Sequence, residues 1–124
     1  MHRQAVIGLI GGLSWESSAQ YYRIINRGGF RAKVQRAYKK ARQAKLWENT
    51  YSMNNRMTND PVKYAEEYWA EGVESYFDAN LFADPPHDNH NAINTRAKLK
   101  AYDGPLYKLI DAAFHGTPWR PHCP

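Results

Sequence analysis

From Phe30 onward the apolar residues recur at helical spacing, and that period limits what the chain can fold into. Phe30, Val34, Ala37, Tyr38, Ala41 and Ala44 form one stripe, and Val62, Ala65, Trp69, Val73, Tyr76 and Phe77 form another. A 3.6-residue period stacks such positions on one face of an α-helix, whereas a half-buried strand needs strict alternation. No segment after Ser14 alternates. The expectation is a mainly α, small helical domain with at most one or two strands, the first near the N-terminus at Ala5–Ile10. That segment is β-branched and apolar on both faces, as a fully buried strand would be.

Punctuation residues place the element boundaries. Gly11-Gly12 breaks the first strand, and Ser14 is a good N-cap for a helix running to about Asn26, where Gly28-Gly29 ends it. A second helix is expected over Phe30–Leu46. Asp60 and Pro61 signal the start of a third, since proline suits the first helical position. Gly72 interrupts that helix at a place suited to close packing. Ala83–Ala92 reads as a loop. A short helix follows from Asn94 or Thr95 to Tyr102, and Asp103-Gly104-Pro105 restarts a last helix running to His115 and stopping at Gly116. Thr117–Pro124 is an irregular tail.

The 124 residues suffice for one domain, and 43% hydrophobic with 23% charged residues is a globular composition. The net charge of +5 is local in origin. Arg31, Lys33, Arg36, Lys39, Lys40, Arg42 and Lys45 occupy the second helix and its end with no acid among them, while Glu66, Glu67, Glu71, Glu74 and Asp78 gather on the third. The two groups can attract each other, and the basic helix can also contact a polyanion. Glu71 and Glu74 share the face of Glu67 or lie next to it, and read either as a solvated acidic stripe or as unpaired carboxylates left over from a lost site.

The single cysteine, Cys123, excludes an internal disulfide. No apolar run reaches the roughly 20 residues that span a bilayer, so no membrane partner is expected. Localisation is left open between a preferred cytoplasmic reading and a secreted one in which residues 1–19 act as a signal peptide.

Residues Ala5 to Arg27, AVIGLIGGLSWESSAQYYRIINR, resemble the opening of an aspartate/glutamate racemase. Strand, glycine turn and helix N-terminus make an anion site, here Gly11, Gly12, Ser14 and Ser17. The resemblance implies a substrate loop and two cysteines on opposite faces of an α-carbon. With Cys123 alone, two-base racemisation is not available.

Residues 30–120 resemble the C-terminal part of a zinc metallopeptidase domain of the anthrax lethal factor-like family. The landmarks are Leu46-Trp47, Asn49-Thr50-Tyr51, Glu67-Tyr68-Trp69-Ala70-Glu71-Gly72, Tyr76-Phe77-Asp78, His90-Asn91, Asn94-Thr95-Arg96, Tyr102-Asp103, Leu106-Tyr107 and Trp119-Arg120. The resemblance implies that Glu67 stands at the third zinc ligand and that Tyr51 matches a tyrosine able to stabilise an oxyanion. The His-Glu-x-x-His helix that carries the other two ligands and the general base does not occur in this chain. His87 and His90 form an H-x-x-H pair that could join Glu67 on a metal.

Residues 1–28 and 29–124 are expected to pack together as one domain. The favoured functional expectation is a truncated, catalytically incomplete, non-enzymatic protein derived from a metallopeptidase tail, needing no cofactor. The alternatives are a zinc-dependent peptidase or hydrolase with ligands completed elsewhere, a racemase-like protein, and a weak polyanion-binding module using Arg31, Lys33, Arg36, Lys39, Lys40 and Arg42.

Overall fold

A computed structural model describes residues 29–48, 50, 61–86 and 91–121. Within them lie four helices: α1 (Phe30–Gln43), α2 (Pro61–Tyr76), α3 (Arg96–Tyr102) and α4 (Gly104–Ala113). Among the described residues the only β pairing is an isolated parallel bridge between Phe82 and Asn91. The domain is mainly α, as the apolar period requires. The expected strand Ala5–Ile10 and the helix over 14–26 lie outside the described residues.

Helix α1 buries Val34, Ala37, Tyr38 and Ala41, the i, i+3, i+4, i+7 set of its sequence. It ends at Gln43 rather than at the expected Leu46, for a reason visible in its hydrogen bonds. The Leu46 N–H donates to Ala41 O (2.9 Å) and the Lys45 N–H to Arg42 O (3.0 Å), with Lys45 left-handed at φ 59°. This is a Schellman closure with lysine where glycine is usual. It turns the chain so that Trp47 enters the core, only 2% exposed.

The same closure recurs twice. At the end of α2 the Ala79 N–H donates to Glu74 O and the Asp78 N–H to Ser75 O, with Asp78 at φ 56°. At the end of α4 the Gly116 N–H donates to Asp111 O and the His115 N–H to Ala112 O, with His115 at φ 55°. The last helix therefore stops at Ala113, short of the expected His115. Gly116 takes the position after the left-handed residue.

Helix α2 is the central element and packs against the other three. It buries Ala65, Tyr68, Trp69, Val73 and Tyr76, and Phe77 follows at its end. Gly72 lets α4 approach: a Cβ there would sit 2.6 Å from Leu106 Cδ2 and 2.8 Å from Ile110 Cδ1. The aromatic residues interlock largely edge to face, as their quadrupoles favour. Phe30 meets Trp69 at 5.1 Å, Trp47 meets Tyr102 at 5.0 Å, and Phe77 meets Phe114 at 5.0 Å.

Asp103 joins these layers. It lies between α3 and α4, and its Oδ1 caps α4 by accepting from the Leu106 N–H (3.1 Å). Its Oδ2 accepts from the Trp47 indole N–H (2.9 Å) and from the Tyr68 hydroxyl (2.7 Å). Thr95 caps α3 through Lys98 N. The tail folds back: Trp119 packs on Phe77, and Arg120 pairs with Asp78 at 2.7 Å.

Candidate functional site

The acids of α2 divide between two faces. Glu66 turns toward α1 and forms an ion pair with Arg31. Glu67, Glu71 and Glu74, spaced i, i+4, i+7, share the face turned away from the α1 and α4 contacts. The expected pairing of the acidic and basic helices is thus made by Glu66, one residue before the position singled out as a ligand.

The far face is not the solvated stripe expected from its charges. Glu71 is 4% exposed, and Glu67 and Glu74 are half-buried. Glu71 Oε1 accepts from the Asn80 side-chain amide (3.0 Å) and also from that of Asn91. Asn91 in turn accepts from the Ile93 N–H (2.6 Å), and Ser75 donates to the Ile93 carbonyl. The carboxyl of Glu71 therefore ties both ends of the 80–91 connection to α2. A buried carboxyl is stable here because amide donors replace water.

Burial dominates the proton affinity of this face. Desolvation, with the neighbouring Glu74 and Glu67 adding to it and the two asparagine hydrogen bonds opposing it, pushes the Glu71 carboxyl up to about 8. Desolvation and the charge of Glu67 push Glu74 up to about 7. Glu67 is raised by desolvation and then by Glu66. Among the described residues, no basic side chain contributes to any of these shifts. Carboxyls that titrate near neutrality can hold or exchange a proton at working pH, or take up an external cation.

Of the residues singled out from sequence, Glu67 lies on this face, half-buried. Tyr51, His87, His90, Gly11, Gly12, Ser14 and Ser17 lie outside the described residues. On α1, Arg31 is half-buried on Glu66, and Lys33, Arg36, Lys39, Lys40 and Arg42 are exposed. The guanidinium of Arg42 lies 5.9 Å from the Tyr38 ring centroid.

A zinc site of the peptidase kind needs two imidazoles beside the carboxylate. Among the described residues, no group of three His, Cys, Asp or Glu side chains is arranged to hold a metal. Glu67 supplies one donor, and the described residues do not complete the set. No described helix is long and apolar enough to cross a membrane.

Sequence reasoning missed the partnership of Glu71 with Asn80 and Asn91. The signal is faint. Asn80 stands between Ala79 and Leu81 and Asn91 in a polar loop, and the contacts close over 9 and 20 residues, beyond any helical period. Comparison of the chain with protein-family models, with curated proteins and with solved structures gives no significant match.

Proposed function

We propose that residues 29–124 form a non-catalytic helical scaffold related to the C-terminal part of a zinc metallopeptidase, in which Glu67 keeps the position of a metal-ligating carboxylate. The observation that carries this reading is the desolvated face of α2. Glu67 stands half-buried there beside Glu71 and Glu74, and among the described residues no basic group contributes to its proton affinity. A cation-binding carboxylate needs such a setting, since desolvation strengthens its attraction for a positive charge. The asparagine-clamped Glu71 beneath it serves the fold. Without the His-Glu-x-x-His sequence, this chain lacks the paired imidazoles of that helix and the general base that peptide hydrolysis requires.

Metal content and proteolysis test the reading together. Protein purified without a histidine tag is expected to carry no stoichiometric zinc and to show no chelator-sensitive cleavage of a generic peptide pool. Cleavage abolished both by chelator and by Glu67→Gln would overturn it.

The second reading, a zinc hydrolase whose ligands are completed by groups outside the described residues, is favoured by the same desolvated carboxylates. Stoichiometric zinc lost in Glu67→Gln would establish it. The racemase-like reading requires two positioned bases at an α-carbon. Solvent deuterium entering the α-position of aspartate or glutamate above a no-enzyme control would support it.

A further inference from the structure

Folding withdraws most of the described acids and leaves the outer face of α1 basic. Among the described acids, Glu71 and Asp103 are buried, Glu66 and Asp78 are held in ion pairs, and Asp111 accepts from the Tyr76 hydroxyl, while Glu48 and Asp84 stay exposed, neither of them on α1. Glu67 and Glu74 are half-buried on the far side of α2. The cations are spent differently. On α1 only Arg31 is drawn inward, while Lys33, Arg36, Lys39 and Lys40 are all exposed.

These four occupy the face opposite the buried stripe of Val34, Ala37, Tyr38 and Ala41, at the i, i+3, i+6, i+7 spacing that forms one outer row. No acid occurs in the α1 sequence, and among the described residues none of the four makes an ion pair. Lys33 to Lys40 spans roughly 10 Å of helix axis, the length over which a nucleic-acid strand presents about three phosphates.

We propose that the outer face of α1 binds the phosphodiester backbone of nucleic acid, through Lys33, Arg36, Lys39 and Lys40, without reading base sequence. The row supplies charge at phosphate spacing, with Arg36 as its single planar fork and no Asn, Gln or aromatic side chain within it; Gln35 is half-buried at its edge, and Gln43 lies nearly a turn beyond its end. A membrane surface fits less well. A helix seated in a bilayer interface lays its apolar face into lipid, and the apolar face of α1 is used in the protein core. The exposed large apolar residues among those described, Leu81 and Phe82, follow α2 rather than lying on α1.

The test is fluorescence anisotropy of a labelled short duplex DNA titrated with the intact chain at about 50 mM and about 200 mM salt. Two variants of equal charge change are compared: Lys33→Gln/Arg36→Gln/Lys40→Gln on α1, and Lys98→Gln/Lys100→Gln/Lys108→Gln on α3 and α4. All six side chains are exposed, and circular dichroism melts verify folding; the double variant Lys33→Gln/Lys40→Gln replaces the first if it melts early.

The α1 variant is expected to lose affinity by more than about tenfold, with the salt slope falling by about two to three, while the control changes by less than about threefold. Absence of binding by the wild type, or equal losses in both variants, would overturn the proposal. So would phosphatidylserine vesicles that displace the DNA at matched anionic charge. DNAs of different sequence and equal length are expected to bind alike, and a clear preference among them would contradict backbone-only recognition.

Discussion

Tyr68 donates its hydroxyl proton to Asp103 across 2.7 Å inside the core, although the two residues lie 35 positions apart. The same carboxyl oxygen takes the indole N–H of Trp47, and its partner oxygen caps α4. One side chain thus joins the end of α1, the middle of α2 and the start of α4. Removing it leaves two buried donors without acceptors and one helix without its cap. Asp103→Ala is expected to cost about 3–5 kcal/mol in denaturant unfolding. Asp103→Asn should be nearly as damaging, because it presents an amide N–H₂ to two other donors. Tyr68→Phe removes a single bond and should cost about 1–2 kcal/mol. A near-neutral Asp103→Ala would refute this account.

Gly72 faces α4 where no side chain fits. Alanine raises helix stability by about 1 kcal/mol over glycine at an exposed interior position. Here the added methyl meets Leu106 Cδ2 at 2.6 Å, Ile110 Cδ1 at 2.8 Å and Leu106 Cγ at 2.9 Å, and both neighbours are fully buried. Displacing α4 outweighs the propensity gain, so Gly72→Ala is expected to destabilise by a net of about 1–3 kcal/mol. In a Leu106→Ala background the same change should cost less, and a double-mutant cycle measures that difference.

The buried carboxyls predict an unusual pH response. In the unfolded chain Glu71 and Glu74 release their protons near the ordinary 4.5, while in the fold they hold them up to about 8 and about 7. Between those values the folded state binds more protons than the unfolded one. Stability contributed by these groups is full below about pH 4.5 and is lost as pH rises through 7 and 8. Each contributes on the order of 1–3 kcal/mol to that fall. Glu71→Gln keeps an acceptor oxygen for Asn80 and Asn91, so it should flatten the profile and exceed the wild type in stability above about pH 8. Glu74→Gln should flatten it less. Chemical denaturation across the range reads this directly, and a wild-type stability that rises from pH 5 to pH 8 with these variants unchanged would show the assignment wrong.

Arg96 fastens the tail to α2. Its guanidinium stacks 3.7 Å from the Tyr76 ring centroid, with Nε donating to Tyr76 O (2.7 Å) and Nη1 to Thr117 O (2.6 Å). A planar fork is needed to meet two carbonyls while lying on a ring, and lysine cannot supply one. Arg96→Ala should cost about 2–4 kcal/mol and Arg96→Lys at least half of that. Limited proteolysis should then cut first in the Thr117–Pro121 segment. Unchanged protection of that segment in Arg96→Ala would assign its anchoring to Trp119 and Arg120 instead.

Much of the helical framework is legible in the amino-acid sequence, because helices are local. The buried residues of α1 all come from its apolar stripe, although Ala44 at the end of that stripe is exposed; Trp69 enters the core as its stripe demands, Thr95 rather than Asn94 caps α3, Asp103 caps α4 where the sequence restarts a helix, and Gly72 marks a close crossing. Helix ends are less legible. The left-handed closures use Lys45, Asp78 and His115, residues with no intrinsic preference as strong as glycine's for that conformation, so sequence alone extends α1 and α4 too far. What holds them is tertiary: Trp47 is drawn onto Asp103, and Asp78 onto Arg96 and Arg120.

The same division runs through the candidate site. The i, i+4, i+7 period by itself determined that Glu67, Glu71 and Glu74 share a face. Only the tertiary structure decided that this face is desolvated, because Asn80 and Asn91 come from a connection that no helical period registers. Sequence likewise placed the basic residues on α1. The fold alone set Arg31 against Glu66 and left the row from Lys33 to Lys40 outward. Charge pattern is written residue by residue, but burial is a property of what the rest of the chain brings against it.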